Sequence, residues 1–404
     1  MKTFNQLPLS ACLKKNLEKH GFTETTAVQE QAIEPALAGR DLVATAQTGS
    51  GKTLAFVLPL IQSLAGKGRA AGVRAVILTP TRELAIQIDE TFMKMAAGSG
   101  IRSAVVVGGL SEAAQLQAIR KGAQVLIATA GRLCDYLGRR LVDLGGVRTV
   151  VLDEADRMLD MGFLPAIERI LGCMPEERQT LFFSATIESS VKHLVQQHVP
   201  TGLRIEVGSP TKPAEDVELN LYEVEQDRKL GLLEDMLRRE GGSFLVFART
   251  KHGADRLARK LASQGLKAAA IHGDRSQNQR NQALRGFQDG DYRVLVATDV
   301  ASRGIHVDGI SHVVNYDLPQ VPEDFIHRVG RTGRAGARGT ASTFATRADR
   351  PEIARIERAL AIRLIRRSDD GGVAPVEIEP ARPPRWRSFG PSRGAGRRPV
   401  RRAV

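Results

Sequence analysis

Short runs of aliphatic and β-branched residues recur along this chain, separated by longer stretches of amphipathic character. The runs predict strands at 41–45, 74–79, 104–107, 125–129, 149–153 and 180–184. The segments between them read as helices or loops. Strands that alternate with helices form βαβ units, which build a parallel sheet covered on both faces. The alternation breaks at 208–216, where two prolines, a glycine and polar residues predict a linker. It resumes with runs at 218–224, 243–248, 268–272, 293–298, 312–315 and 340–345. A last helix is predicted from 349 to about 366. The expected organisation is two similar α/β lobes, 1–207 and 217–366, followed by a tail, 367–404.

Composition narrows the function classes. The chain has 404 residues, 42% of them apolar and only 4% aromatic, so the cores must be mainly aliphatic. Its formal net charge of +13 favours a polyanionic partner, nucleic acid before an anionic membrane. Eight of its 58 Lys and Arg residues, and none of its 45 Asp and Glu, lie in 380–404. That segment is rich in Pro, Gly and Ser, cannot bury a core and is expected to be disordered. The three cysteines, Cys12, Cys134 and Cys173, are too far apart for a disulfide framework or a zinc site. No apolar run is long enough to cross a bilayer, and the first residues lack a signal-peptide pattern. The expectation is a soluble, cytoplasmic monomer.

Three motifs carry chemistry. Ala46-Gln-Thr-Gly-Ser-Gly-Lys-Thr53 follows a predicted strand and opens a predicted helix, 54–64. In such a loop the glycines let backbone N–H groups turn inward on phosphate oxygens. Thr48, Gly49, Ser50 and Gly51 are the cradle, Lys52 reaches the β- and γ-phosphates, and Thr53 can ligate Mg²⁺. The second motif, 148–156, is an apolar strand ending in acids. Ligands of a parallel sheet bind beyond its carboxyl ends, which puts Asp153 beside the phosphate loop as a Mg²⁺ ligand, directly or through water. Glu154 is placed to activate the attacking water. On its own this could be an acidic helix start. The third motif, His327-Arg-Val-Gly-Arg-Thr-Gly-Arg334, lies in the second lobe, which has no phosphate loop. Arg331 and Arg334 can stabilise charge on a transferring phosphoryl group, so ATP is expected in an interlobe cleft that must close.

With the literal Asp-Glu-Ala-Asp at 153–156, the chain resembles the DEAD-box RNA helicases of the compact bacterial type, over roughly residues 4 to 345. The resemblance implies two tandem RecA-like P-loop lobes, ATP and Mg²⁺ as cofactors, and RNA held without sequence preference. It makes 21–29 the adenine-reading motif, with Gln29 hydrogen-bonding the base and Phe4 as the upstream aromatic. Thr25 and Ala27 replace usual prolines there. The RNA-facing set it implies is Pro80, Thr81, Arg82, Gly108, Gly109, Thr129 and Arg132 in the first lobe. In the second it is Arg249, Thr250, Gln277, Arg280, Thr298 and Arg303. Arg, Thr, Gln and glycine N–H groups suit contacts to phosphate and 2′-hydroxyl. Ser184, Thr186, Asp156 and His327 are implied to couple nucleotide state to strand separation, with the hydroxyls bonding the acidic turn near Asp156. Ala130 replaces a proline in the Thr-Ala-Gly-Arg stretch. His306 stands where the family has an aspartate near the ribose, and an imidazole can still bond a hydroxyl.

The expected activity is ATP-dependent clamping and local unwinding of short RNA duplexes, or remodelling of RNA–protein complexes. Ribosomal precursors, RNA-decay assemblies and cold-stabilised structures are compatible substrates. A DNA translocase and a non-catalytic RNA scaffold are the rivals; membrane association lacks an amphipathic helix. In the tail, Arg382-Pro-Pro-Arg-Trp-Arg-Ser-Phe-Gly390 interleaves arginines with Trp386 and Phe389, a pattern that tethers single strands by phosphate contact and stacking. Deleting 380–404 is therefore expected to weaken RNA binding and flatten its salt dependence. Affinity unchanged across a salt series would reduce the tail to a solubilising segment.

Overall fold

A computed structural model describes residues 2–46, 49–65, 72–187, 189–207, 217–299, 309–333 and 338–368. Lobe 1 contains the strands β1 (Leu42–Ala46), β2 (Ala75–Thr79), β3 (Ser103–Val106), β4 (Val125–Thr129), β5 (Thr149–Leu152), β6 (Gln179–Ser184) and β7 (Leu203–Val207). Around them lie helices α1 (Ala11–Lys19), α2 (Ala27–Leu37), α3 (Lys52–Leu64), α4 (Arg82–Met95), α5 (Glu112–Arg120), α6 (Ala130–Gly138), α7 (Ala155–Asp160), α8 (Leu164–Gly172) and α9 (Ser189–His198). Lobe 2 contains β8 (Val217–Glu223), β9 (Phe244–Phe247), β10 (Ala268–Ile271), β11 (Val294–Ala297), β12 (His312–Asn315), β13 (Gly339–Ala345) and β14 (Ile365–Arg367). Its described helices are α10 (Lys229–Arg239), α11 (Lys251–Ser263), α12 (Gln277–Gln288), α13 (Pro322–Val329) and α14 (Arg350–Leu360).

Both sheets are seven-stranded and all described pairings in them are parallel. Their orders are β3-β4-β2-β5-β6-β1-β7 and β10-β11-β9-β12-β13-β8-β14. The second is the first shifted by seven, so β8 is the counterpart of β1 and α10 that of α3. β1, β2 and β4 are buried at every residue, as strands covered on both faces must be. Each lobe accordingly has two apolar cores, mainly aliphatic with a few buried rings, one on each face of its sheet.

The predicted strands stand within one or two residues of their expected bounds. Two elements differ. β7 escaped prediction; it is an edge strand beside β1 with one buried residue, Ile205. The helix expected over 349–366 ends at Leu360, where Ala361 turns left-handed (φ 52°), and β14 then joins β8. Ala361 carries no glycine signal for that stop. Arg367, expected in the tail, belongs to the sheet: it donates to Asn220 Oδ1 at 2.9 Å and pairs with Glu218. The linker 208–216 and the rest of the tail, 369–404, lie outside the described residues, as do Thr48, Arg303, His306 and Arg334.

Lobe 2 is pinned by one fully buried cation. Arg328 on α13 makes a two-pronged pair with Asp299 (2.6 and 2.7 Å), donates to Asp317 O at 2.7 Å and lies over the Phe247 ring at 4.9 Å. Losing these charge-assisted bonds costs on the order of 3 kcal/mol. Arg328→Ala is expected to lower the melting temperature of lobe 2 by roughly 10 °C. Melting within a degree or two of wild type would show that the pair carries no such load.

Candidate functional site

The loop after β1 turns into α3 through two left-handed glycines, Gly49 (φ 89°) and Gly51 (φ 88°). Only glycine takes that conformation without strain. At Gly51 there is also no room: a Cβ would lie 2.5 Å from Gln29 Nε2. Gln29 is itself buried, and its amide is spoken for twice. Its oxygen accepts the Thr26 N–H at 2.9 Å, and its nitrogen donates to Gly51 O at 2.9 Å. The adenine motif and the phosphate loop are thus bonded to each other. Lys52, also buried, donates to Ala46 O at 3.0 Å across the loop.

β5 delivers four charged residues into the interior in succession but for Ala155. Asp153, Glu154, Asp156 and Arg157 are each no more than 5% exposed. Burial pushes the Asp153 carboxyl up to about 7, against the pull of Lys52. Burial would raise Glu154 too, but Arg157, Lys52 and Arg331 together hold it well below the usual carboxylate range. The contact to Arg157 is a 2.6 Å pair. Glu154 reaches this position through a left-handed backbone (φ 50°), an uncommon conformation for a side chain of this size. Asp156 is satisfied by the end of β6: its Oδ2 accepts Ala185 N–H (2.9 Å), Thr186 N–H (2.8 Å) and the Thr186 hydroxyl (3.1 Å). Ser184 Oγ accepts the Asp156 N–H at 3.3 Å and donates to Thr186 O at 2.7 Å.

Lobe 2 completes this cluster. Arg331, buried, donates to His327 O at 3.2 Å and acts electrostatically on Glu154. His327 is pushed down to about 4 by burial and by Arg157, partly offset by Asp156 and Glu154, so its ring is neutral. For Mg²⁺ the oxygen donors present are Thr53 and Asp153. Among the described residues no group of three or more His, Cys, Asp or Glu is arranged to hold a metal. Mg²⁺ commonly binds one or two protein carboxylates and takes its remaining ligands from phosphate and water. The raised Asp153 carboxyl is a buried acid short of positive charge, which such an ion would supply.

A cavity of about 480 Å³ is lined by Pro80, Thr81, Arg82, Thr129 and Arg132 of lobe 1 and by Gly273 and Arg280 of lobe 2. The Arg82 guanidinium lies against Gly108 and Gly109, and a Cβ at Gly109 would collide with it. Thr81 and Thr250 cap α4 and α11, accepting Leu84 N–H at 3.2 Å and Gly253 N–H at 3.0 Å.

Residues 26–194 match the family described as DEAD/DEAH box helicase, and 228–336 match the helicase conserved C-terminal domain. The chain belongs to the DEAD-box helicase family. The DEAD-box ATP-dependent RNA helicase CshA of Streptococcus pneumoniae serotype 4 is 40% identical over 328 residues, 81% of this chain and 62% of that protein. The chain thus spans less than two thirds of that relative. S. cerevisiae Dbp5 bound to RNA and ADP BeF3 is 30% identical, with a TM-score of 0.83 over 92% of this chain and 96% of that one. A DEAD box protein from the hyperthermophile Methanococcus jannaschii is 37% identical, with a TM-score of 0.54 over 90% and 98%.

Several of the motif residues also have partners within the protein. Phe4 is packed in the lobe 1 core at 2% exposure; the open ring of that segment is Phe22, at 37%. Gln277 and Arg280 both reach Glu83 in lobe 1, at 3.0 and 3.1 Å, so they clasp the lobes together. Arg132 pairs with Glu112 and Asp135, each at 3.3 Å. Arg249 is tied through its backbone N–H to Asp317 (2.9 Å), and Thr298 is buried beside β10, its N–H on Ile271 O at 3.4 Å. Glu83, Arg157 and Arg328 were missed. Arg328 lies inside the 327–334 motif, and Glu83 and Arg157 directly follow motif residues, the one available signal. Gly51→Ala adds both a clash and a strained φ, and is expected to weaken nucleotide binding at least tenfold. Titration with a fluorescent ADP analogue measures this, and wild-type affinity would mean that the loop rearranges freely.

Proposed function

We propose that this chain is an ATP-dependent RNA helicase, hydrolysing ATP in the interlobe cleft and clamping RNA across both lobes. The observation that carries the reading is the buried acid turn of lobe 1 meeting Arg331 of lobe 2 beside the Lys52 loop. A nucleotide's phosphates would lie on the N–H groups of the loop and the start of α3, with Lys52 and Arg331 neutralising charge that develops in transfer. Glu154, held ionised, would accept a proton from the attacking water. Mg²⁺ on Thr53, Asp153 and phosphate would polarise the transferring group. The cavity lined by Arg82, Thr129 and Arg280 would hold the RNA backbone. Closure bends one strand, which disrupts a short duplex locally, and hydrolysis releases it. The similarity to RNA-bound Dbp5 supports this arrangement, being higher by TM-score than that to the M. jannaschii protein of greater sequence identity.

The test is ATP hydrolysis with no nucleic acid, with single-stranded RNA and with matched DNA. RNA alone is expected to stimulate, and Glu154→Gln to lower kcat by about 100-fold or more. Equal stimulation by DNA would turn the reading to a general translocase. No hydrolysis above the Glu154→Gln blank would turn it to a scaffold.

A further inference from the structure

Lobe 2 has a second cavity, of about 590 Å³, among whose lining residues none comes from lobe 1. It sits at the carboxyl ends of β8, β9, β12 and β13, the edge where open parallel sheets bind ligands. By strand order it is the counterpart of the phosphate-loop site. The likeness extends to one residue: Lys229, the first of α10, is buried and donates to Tyr316 O at 3.0 Å, as Lys52 does to Ala46 O. The chain from Val224 to Arg228 has no glycine, so it cannot fold into a phosphate cradle.

The cavity leads elsewhere. One end is bounded by Arg249 and Thr250, the other by Arg256 and Lys260 on α11. Arg256 and Lys260 also border a shallower concavity with His252 and Arg259. Positions 252, 256, 259 and 263 follow i, i+4, i+7, i+11 and share one helix face, a stripe about 16 Å long. Arg256, Arg259 and Lys260 are exposed and form no ion pair among the described residues. The one acid of α11, Asp255, is committed to His272 (2.9 Å) and Arg275 (2.6 Å). Of the cavity's acids, Asp317 accepts the Arg249 N–H and Asp349 accepts the Thr346 N–H and hydroxyl. Asp227 is exposed and repels anions from the α10 side.

We propose that this face of α11 binds the phosphates of an RNA flank that leaves the interlobe site at Arg249 and Thr250. The proposal rests on the RNA reading above. Lysines and arginines at helical spacing contact phosphate without reading bases, so the added footprint is independent of sequence.

The experiment compares, in the full chain, binding of two RNAs in the presence of a non-hydrolysable ATP analogue. One is the shortest RNA that activates ATP hydrolysis; the other is the same RNA extended at both ends. Wild type is expected to favour the extended RNA, and R256S/K260S to lose about five- to tenfold of that preference. Its salt slope on the extended RNA should fall by roughly 1.4, two phosphates at about 0.7 each. Lys251→Ser is the control, because Lys251 is already paired with Asp274 at 2.6 Å. A double variant that keeps the preference, or loses affinity equally for both RNAs, overturns the proposal. So does a Lys251→Ser effect as large as that of the double variant. Wild type unmoved by any RNA would remove the RNA reading itself, a distinct result.

Discussion

The acid turn after β5 is the constraint around which the site is organised. Three carboxylates and a guanidinium within five residues are buried in a lobe whose cores are apolar. Unpaired, each would cost several kcal/mol in desolvation. The surrounding residues are explained by that demand. Lys52 faces Asp153, Arg157 grips Glu154, and the turn after β6 gives Asp156 three donors. Arg331 adds positive potential from the other lobe, while the His327 ring beside it stays neutral. An acid cluster partly compensated from across a cleft is more stable when the cleft is closed, so the chemistry of the site and the position of the lobes are linked.

The clasp at Glu83 ties a second region to the same movement. Glu83 neighbours Arg82 on α4, and its carboxylate, 4% exposed, takes both Gln277 and Arg280 from α12. Groups that favour closure at either place favour it at the other, and such coupling is reciprocal by thermodynamic necessity. A nucleotide held at the acid turn and a polyanion held beside Arg82 would therefore assist one another without touching.

The alternation of apolar runs made twelve of the fourteen strands legible. β7 and β14 were not, for a shared reason. Charged residues interrupt both, Arg204 and Glu206 in β7 and Arg366 and Arg367 in β14, so neither shows the apolar run that marks the edge strands β3 and β10. The nucleotide motifs were legible because their residues are contiguous: the loop Gly49–Thr53 and the turn at 153–156 each carry their geometry in local order. Contacts between distant segments were not. Nothing in the spacing of Gln277 foretells Glu83, 194 residues away. Nor does the adenine motif foretell that Gln29 leaves no room for a methyl at Gly51. An aromatic near a motif looks the same in sequence whether it packs inward, as Phe4 does, or lies open, as Phe22 does.

The strand order has a consequence for biosynthesis. β1 is laid down early, yet its only sheet neighbours are β6 and β7, so Leu42 waits for Leu181 and Leu203. At about 5–20 residues per second, a strand buried at every position in the finished protein spends roughly 7–27 s without a hydrogen-bonding partner while the ribosome moves from 46 to 179. β8 faces the same delay before β13. Each lobe therefore completes this side of its sheet only as its last strands emerge, and a nascent chain stalled within either interval exposes an adhesive strand.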